Sequence, residues 1–291
     1  MNKSNNYLEV SGDVAAIQSH TTAMSAVVND LSLVNQSDRI KRWLSPPDPS
    51  TNLNEAQKKR QNGTGSWFLK SKPYKQWKAG KHQHLWLHGI PGCGKTILSA
   101  TIIDDLNQKP DSSCIVLNFF FDFTDTDKQS LDKLVRSLIT QLYSRCRESR
   151  KELDKLFASY DNGERQPTFE SLSTAFMRMT NYVEKVQVII DALDECKTRS
   201  DLISWMENIT RSEHAGLQLI TTSRREEDIE SRLKRWLHQR NTISIQQEIT
   251  NFDIRLYIHK RLKEPDFELW QSQPSVLDEI ETRLMEKADG M

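Results

Sequence analysis

The sequence predicts an α/β three-layer sandwich built on a central parallel sheet, and three observations carry that prediction. From Gln83 onward, short apolar runs alternate with amphipathic helical stretches, as parallel strands with crossover helices require. Cys114–Phe121 is a near-continuous apolar run, the composition of a strand covered on both faces. Gly89–Thr96 reads Gly-Ile-Pro-Gly-Cys-Gly-Lys-Thr, a complete G-x-x-x-x-G-K-[ST] phosphate loop set between an apolar strand and a helix.

The elements follow in order. Val14–Val34 carries apolar residues at helical spacing, Ser45–Ser50 breaks that pattern with three prolines, and Lys58-Lys59-Arg60 reads as a solvated charge run. Residues 1–60 are therefore expected to be an N-terminal helical segment and polar linker. Trp43, Trp67, Phe68, Tyr74 and Trp77 are too many aromatics for a linker; they pack on the following domain or stack against a base. The nucleotide-binding α/β domain is expected over 61–248. Its first strand leads into the phosphate loop through His84–His88, and a helix over Thr96–Leu106 leads out. The 114–121 strand follows, then helices marked by the stripes Leu131–Tyr143 and Phe169–Tyr182. Further strands are expected at Val186–Ile190, Leu217–Thr221 and Thr242–Ile245. Thr250-x-x-Asp253 and Ser275-x-x-Asp278 resemble capping boxes that open two last helices. Residues 249–291 read as the start of a C-terminal helical region, incomplete at Met291.

Composition narrows the function classes. Forty Lys and Arg balance forty Asp and Glu among 291 residues, so no net field draws in nucleic acid or anionic membrane. Neither is expected as a partner. The four cysteines show no C-x-x-C spacing and read as reduced thiols. The polar N-terminus lacks a signal peptide's apolar core, and no apolar run reaches membrane-spanning length. A cytoplasmic protein is expected.

The phosphate loop sets the chemistry. Gly89, Gly92, Cys93 and Gly94 let successive backbone N–H groups face one concavity, the helix adds its positive end, and Lys95 adds a full charge. Thr96 is placed to offer its hydroxyl to Mg²⁺. The chain is thus expected to bind a nucleoside triphosphate, ATP or GTP, with Mg²⁺. The second motif, Val186–Glu195, ends an apolar strand in Asp191-Ala192-Leu193-Asp194-Glu195. Asp191, at the strand's C-terminal end, is assigned to the metal. Asp194 or Glu195 is the candidate to polarise an attacking water, and the alternative is an acidic turn that caps the next helix. Three carboxylates this close repel, so one should hold its proton more tightly than usual. The third motif is Leu217–Arg225, where Arg224 can carry a guanidinium to the γ-phosphate. Its bland alternative is pairing of Arg224 or Arg225 with Glu226, Glu227 or another surface carboxylate. His82, His84 and His88 share a strand parity with Trp86 and read as packed, hydrogen-bonded residues rather than zinc ligands. Cys93 reads as a small loop residue.

With these motifs in order, the chain resembles the NACHT domains of the STAND class of P-loop NTPases, above all the nephrocystin-like type common in fungal proteins. The resemblance rests on Leu85–Thr96, Asp191–Glu195 and Thr222-Ser223-Arg224, joined by Gly63–Phe68 and Trp77. It extends from about Ile40 to the end. It implies a P-loop NTPase fold with a five-stranded parallel sheet, and ATP favoured over GTP. It also implies slow hydrolysis and a bound nucleotide that controls self-association and signalling through protein partners. Family members usually continue into a winged-helix region and repeats, so a fragment, a truncated product or a stand-alone module are all consistent with an end at Met291. Two other readings stay open: a small-molecule P-loop kinase, and a non-catalytic interaction module stabilised by nucleotide.

Overall fold

A computed structural model describes residues 24, 35–108, 113–211, 216–245, 247–271 and 273–288. The expected helix over Val14–Val34 therefore lies almost wholly outside the described residues. The chain divides into two compact units, one holding the described part of Met1–Ser45 with Phe157–Gln166, the other Pro46–Leu156 with Pro167–Met291.

In the smaller unit, residues 35–44 form helix α1. Trp43 meets Phe157 edge-on with ring centroids 5.2 Å apart. Its indole N–H donates to Arg165 O at 2.7 Å, and Gln166 Nε2 donates back to Trp43 O at 3.1 Å. Trp43 is thus a packing residue of its own unit.

The larger unit is built on five parallel strands: β1 His84–His88, β2 Cys114–Phe120, β3 Lys185–Asp191, β4 Leu217–Ser223 and β5 Thr242–Ser244. Their spatial order is β2-β3-β4-β1-β5. All five fall where the apolar runs predict them. The helices before the phosphate loop are α2 Ser50–Lys59, α3 Ser66–Lys70 and α4 Lys72–Lys78. Then come α5 Lys95–Asn107, α6 Leu131–Arg145, α7 Arg150–Ser159 and α8 Phe169–Thr180. The last are α9 Arg199–Thr210, α10 Glu227–Leu233, α11 Gln247–Arg261, α12 Glu268–Gln271 and α13 Pro274–Ala288.

One sheet face carries Leu85, Leu87, Ile189 and Ile220, which form a single buried cluster with Leu98, Ile102 and Ile103 of α5 and with Phe68, Tyr74 and Trp77 of α3 and α4. These last three aromatics are therefore core, each side chain contributing about 1.5–3 kcal/mol by burial. Side chains alternate across a strand, so Asp191 shares the face of Ile189 and meets α5. Phe120 sits opposite Asp191 in register, ending β2 and β3 together at the edge where the phosphate loop emerges.

Two local readings are corrected. Ser50–Lys59 is a helix packed on α5, although only Leu53 and Ala56 along it are apolar. Polar contacts tie it down: Asn52 donates to Asp122 at 2.8 Å, the buried Lys128 ammonium donates to Thr51 and Asn52, and Arg60 pairs with Asp104 at 2.7 Å. Thr250 does not open the next helix, because α11 already begins at Gln247. Asp253 is not a capping residue either, its carboxylate being turned to Gly65 N and Trp67 Nε1.

Candidate functional site

Between β1 and α5 the backbone turns tightly. Gly92 and Gly94 have φ of 79° and 84°, in the left-handed region that side chains other than glycine enter at a cost. Gly89 is needed for a different reason: a Cβ there would stand 2.6 Å from Cys93 Sγ and 3.2 Å from Ile245 Cβ. Gly94 is the N-cap of α5 and brings no side chain to its first-turn N–H groups. Those amides and the helix dipole make this end of α5 suited to an anion. Lys95 Nζ lies folded over the loop, donating to Gly89 O at 3.0 Å and Ile90 O at 2.8 Å. Cys93 is buried beneath the loop, and burial pushes its thiol up.

Asp191 is buried at the end of β3 and accepts three hydroxyl hydrogen bonds. Thr96 donates to Oδ2 at 2.7 Å, while Ser99 and Thr222 donate to Oδ1 at 2.6 and 2.7 Å. Thr222 belongs to β4, which lies between β1 and β3 and so spans the gap between the loop-bearing strand and the acid-bearing one. Its hydroxyl also accepts from Ala192 N at 3.0 Å. This bond helps hold Ala192 at φ 58°, the left-handed step that turns the chain out of β3.

Asp194 and Arg224 form a closed pair: Arg224 N donates to Asp194 Oδ1 at 2.9 Å and Arg224 Nε approaches Oδ2 at 3.1 Å. The Asp194 side chain is 6% exposed and that of Arg224 46%. Arg225 turns instead to Glu230, both contacts at 2.9 Å. The bland alternative thus holds for Arg225, which pairs with a nearby carboxylate other than Glu226 or Glu227. Glu195 Oε2 accepts from Phe123 N at 2.9 Å. Its carboxyl is held above the usual carboxylate range, first by burial and then by the charges of Asp194, Asp122 and Asp191. One of the three clustered carboxylates does hold its proton more tightly, but desolvation is the larger cause and repulsion the smaller.

Gly92, Gly94, Lys95, Thr96, Asp191, Asp194, Glu195, Thr222 and Arg224 all line one cavity of about 390 Å³, roofed by Asn52, Glu55 and Lys59 of α2. Gly89 and Cys93 do not line this cavity; Cys93 lines an adjoining one. The sequence reading did not assign Ser99, Thr222 or α2. Ser99 sits one helical turn after Thr96 on the same face, a spacing that signals a shared partner.

The donor set suits Mg²⁺, a hard cation that takes one or two carboxylates and completes its shell with phosphate oxygens and water. Thr96 and Asp191 supply a hydroxyl and a carboxylate 2.7 Å apart. Among the described residues no group of three or more His, Cys, Asp or Glu side chains is placed to hold a metal unaided. The strand histidines are packed: His84 Nε2 meets Thr221 Oγ1 at 2.9 Å, and burial lowers its pKa to about 3. The His88 ring lies 4.6 Å from Trp86. No helix among the described residues is long and apolar enough to cross a membrane.

The chain is similar to several known proteins. The vegetative incompatibility protein HET-E-1 of Podospora anserina is 29% identical over 209 residues, covering 67% of this chain and 15% of that protein. The chain thus spans a small part of that relative's length. Among solved structures, a DNA replication initiation factor has a TM-score of 0.42 at 14% identity, over 79% of this chain and 58% of its own. Domain III of the Thermotoga maritima replication initiation protein DnaA has a TM-score of 0.38 at 18% identity, over 71% and 74%. The nephrocystin 3, N-terminal family matches residues 63–224, which take in the phosphate loop, the Asp191–Glu195 acids and Arg224. That match covers more than half of the 291 residues, and the chain belongs to the nephrocystin 3, N-terminal family, the nephrocystin-like NACHT type that its motifs resemble.

Proposed function

We propose that this chain is a nucleotide-dependent switch module that binds a Mg²⁺-nucleoside triphosphate, ATP in preference to GTP on the family resemblance, and hydrolyses it slowly. The observation that carries the reading is the Thr96–Asp191 hydrogen bond at 2.7 Å, at the wall of a cavity that Lys95 also lines. Bound Mg²⁺ supplies charge neutralisation on the phosphate oxygens. Thr96 and Asp191 would hold it, with Ser99 and Thr222 fixing the carboxylate that does so.

The chain's own groups divide the remaining work. Gly92, Gly94 and the first-turn amides of α5 receive phosphate oxygens, and Lys95 leaves Gly89 O and Ile90 O to pair with them. Glu195 takes the proton of the attacking water, since its raised pKa makes it a stronger base than an ordinary carboxylate. Asp194 is already engaged by Arg224 and serves as its anchor. Arg224, half exposed at the cavity wall, would exchange Asp194 for the γ-phosphate and so report its presence. With no arginine besides Arg224 lining the cavity among the described residues, turnover is expected to be slow, on the order of 10⁻⁴ to 10⁻² s⁻¹ by analogy with unaided GTPases.

The switch would act in the cytoplasm through self-association or protein partners. Mass measurement in solution with and without Mg·ATP tests this, with Lys95→Ala as the control. The proposal expects a nucleotide-dependent change in mass that the variant lacks. Identical masses in every condition would contradict the switch role.

A further inference from the structure

Beside the phosphate loop lies a second cavity of about 380 Å³, within the size range of small-molecule sites. It shares Lys59, Gly92, Gly94 and Ile97 with the first cavity, so the two adjoin around the loop. Its walls are largely apolar, from Trp67, Leu98, Ile254 and Tyr257. Lys59, Gln61, Thr64 and Asp253 break that pattern, and two of these four stand out. Gln61 Oε1 and Asp253 Oδ1 are both buried without a hydrogen-bond partner. The other Asp253 oxygen, Oδ2, accepts from Gly65 N at 2.8 Å and Trp67 Nε1 at 3.2 Å, which fixes the carboxylate in place. Burial holds the Asp253 carboxyl above its ordinary range against those two bonds.

Buried acceptors are nearly always satisfied, and two orphans lining one apolar cavity call for a ligand that brings donors. A flat aromatic ring with N–H groups on its edge meets both demands, apolar on its faces and donating at its rim. We propose that this cavity receives the purine of the nucleotide, and that Asp253, together with Gln61, reads the amino-bearing edge of that base. The inference rests on the triphosphate reading above and deepens it. Adenine offers its 6-amino group, guanine its ring N–H and 2-amino group; the shared requirement is an amino donor. Asp253 lies on α11, beyond the 63–224 segment that the family match covers, so base recognition is assigned to a residue that segment does not contain.

The test is equilibrium binding of four Mg²⁺-nucleotides to the full chain, in two pairs that differ by one amino group. ATP is compared with purine riboside triphosphate, and GTP with inosine triphosphate, on wild type and Asp253→Asn. In the variant the amide oxygen still accepts from Gly65 and Trp67, but an NH₂ donor replaces the free acceptor. Loss of the amino group should weaken binding to wild type about tenfold or more in at least one pair, as expected for a bond to a charged acceptor. The affected pair tells adenine from guanine. In Asp253→Asn that difference should vanish or invert. Equal affinities within both pairs on wild type overturn the proposal, as does a difference that survives unchanged in the variant. Should Asp253→Asn fail to fold, the wild-type pairs decide alone. Failure of all four nucleotides to bind folded wild type would instead refute the triphosphate reading itself.

Discussion

The Thr96 hydroxyl donates to Asp191 Oδ2 at 2.7 Å, joining the first turn of α5 to the end of β3 although β4 separates β3 from the loop-bearing β1 in the sheet. Thr222 makes that junction possible, since its hydroxyl donates to Asp191 and accepts from Ala192 N. Thr222→Val keeps the side-chain shape and removes both bonds. It should cost about 1–3 kcal/mol of stability, because it leaves buried polar groups unpaired. Urea unfolding checks this, and unchanged stability would show that the Asp191 carboxylate is positioned by something else.

Phosphate release separates the two neighbouring acids. Glu195→Gln should lower turnover by about 10²–10⁴-fold, the usual contribution of a positioned base, with nucleotide affinity kept. Asp194→Asn keeps the oxygen that receives Arg224 N and should cost far less. The reverse ranking would make Asp194 the base.

The raised Glu195 carboxyl also has a consequence for stability, without nucleotide. A folded-state pKa above the unfolded one gives stability that is present at low pH and lost as pH rises through the folded value. Glu195→Gln is therefore expected to be more stable than wild type near neutral pH. The gap should close as pH falls to the ordinary glutamate range, which paired urea titrations would follow.

His84 works in the opposite sense. Its folded pKa is about 3, so between about 6.5 and that value only the unfolded chain takes up the proton. Stability should fall with decreasing pH by about 1.4 kcal/mol per unit from this residue. His84→Gln should flatten the slope by that amount, whatever its uniform repacking cost. An unchanged slope between pH 6 and 4 would contradict a neutral buried imidazole.

Trp77 is wholly buried against the α5 face of the sheet. Trp77→Ala should destabilise the fold by about 3–5 kcal/mol, readable as a shift of the unfolding midpoint. A loss below about 1 kcal/mol would show that the aromatics ahead of the phosphate loop are not core.

The sheet was legible because β1, β3 and β4 are buried on both faces, and apolar runs such as Val186–Ile190 leave little ambiguity. The helices α6 and α8 were legible through a different signal, a single apolar stripe at helical spacing. What escaped was held by tertiary polar contacts. Nothing in Ser50–Lys59 announces a helix, since Asn52, Lys128 and Arg60 secure it from partners far along the chain. Asp253 was misread as a helix cap because a carboxylate three residues after a threonine looks the same whether it turns back or outward. The loop lysine and the three acids were visible as residues. The division of labour between Asp194 and Glu195 was not, because it depends on Arg224 and Phe123 N, which no local spacing reveals.

The account depends most on Lys95 and the phosphate loop gripping a triphosphate. Calorimetric titration of Mg·ATP and Mg·GTP into wild type and Lys95→Ala measures this directly. Wild type should bind, and the variant should lose about ten- to a hundredfold in affinity for each charge-assisted bond removed. Equal affinities in the two proteins, or no binding to folded wild type, would contradict it.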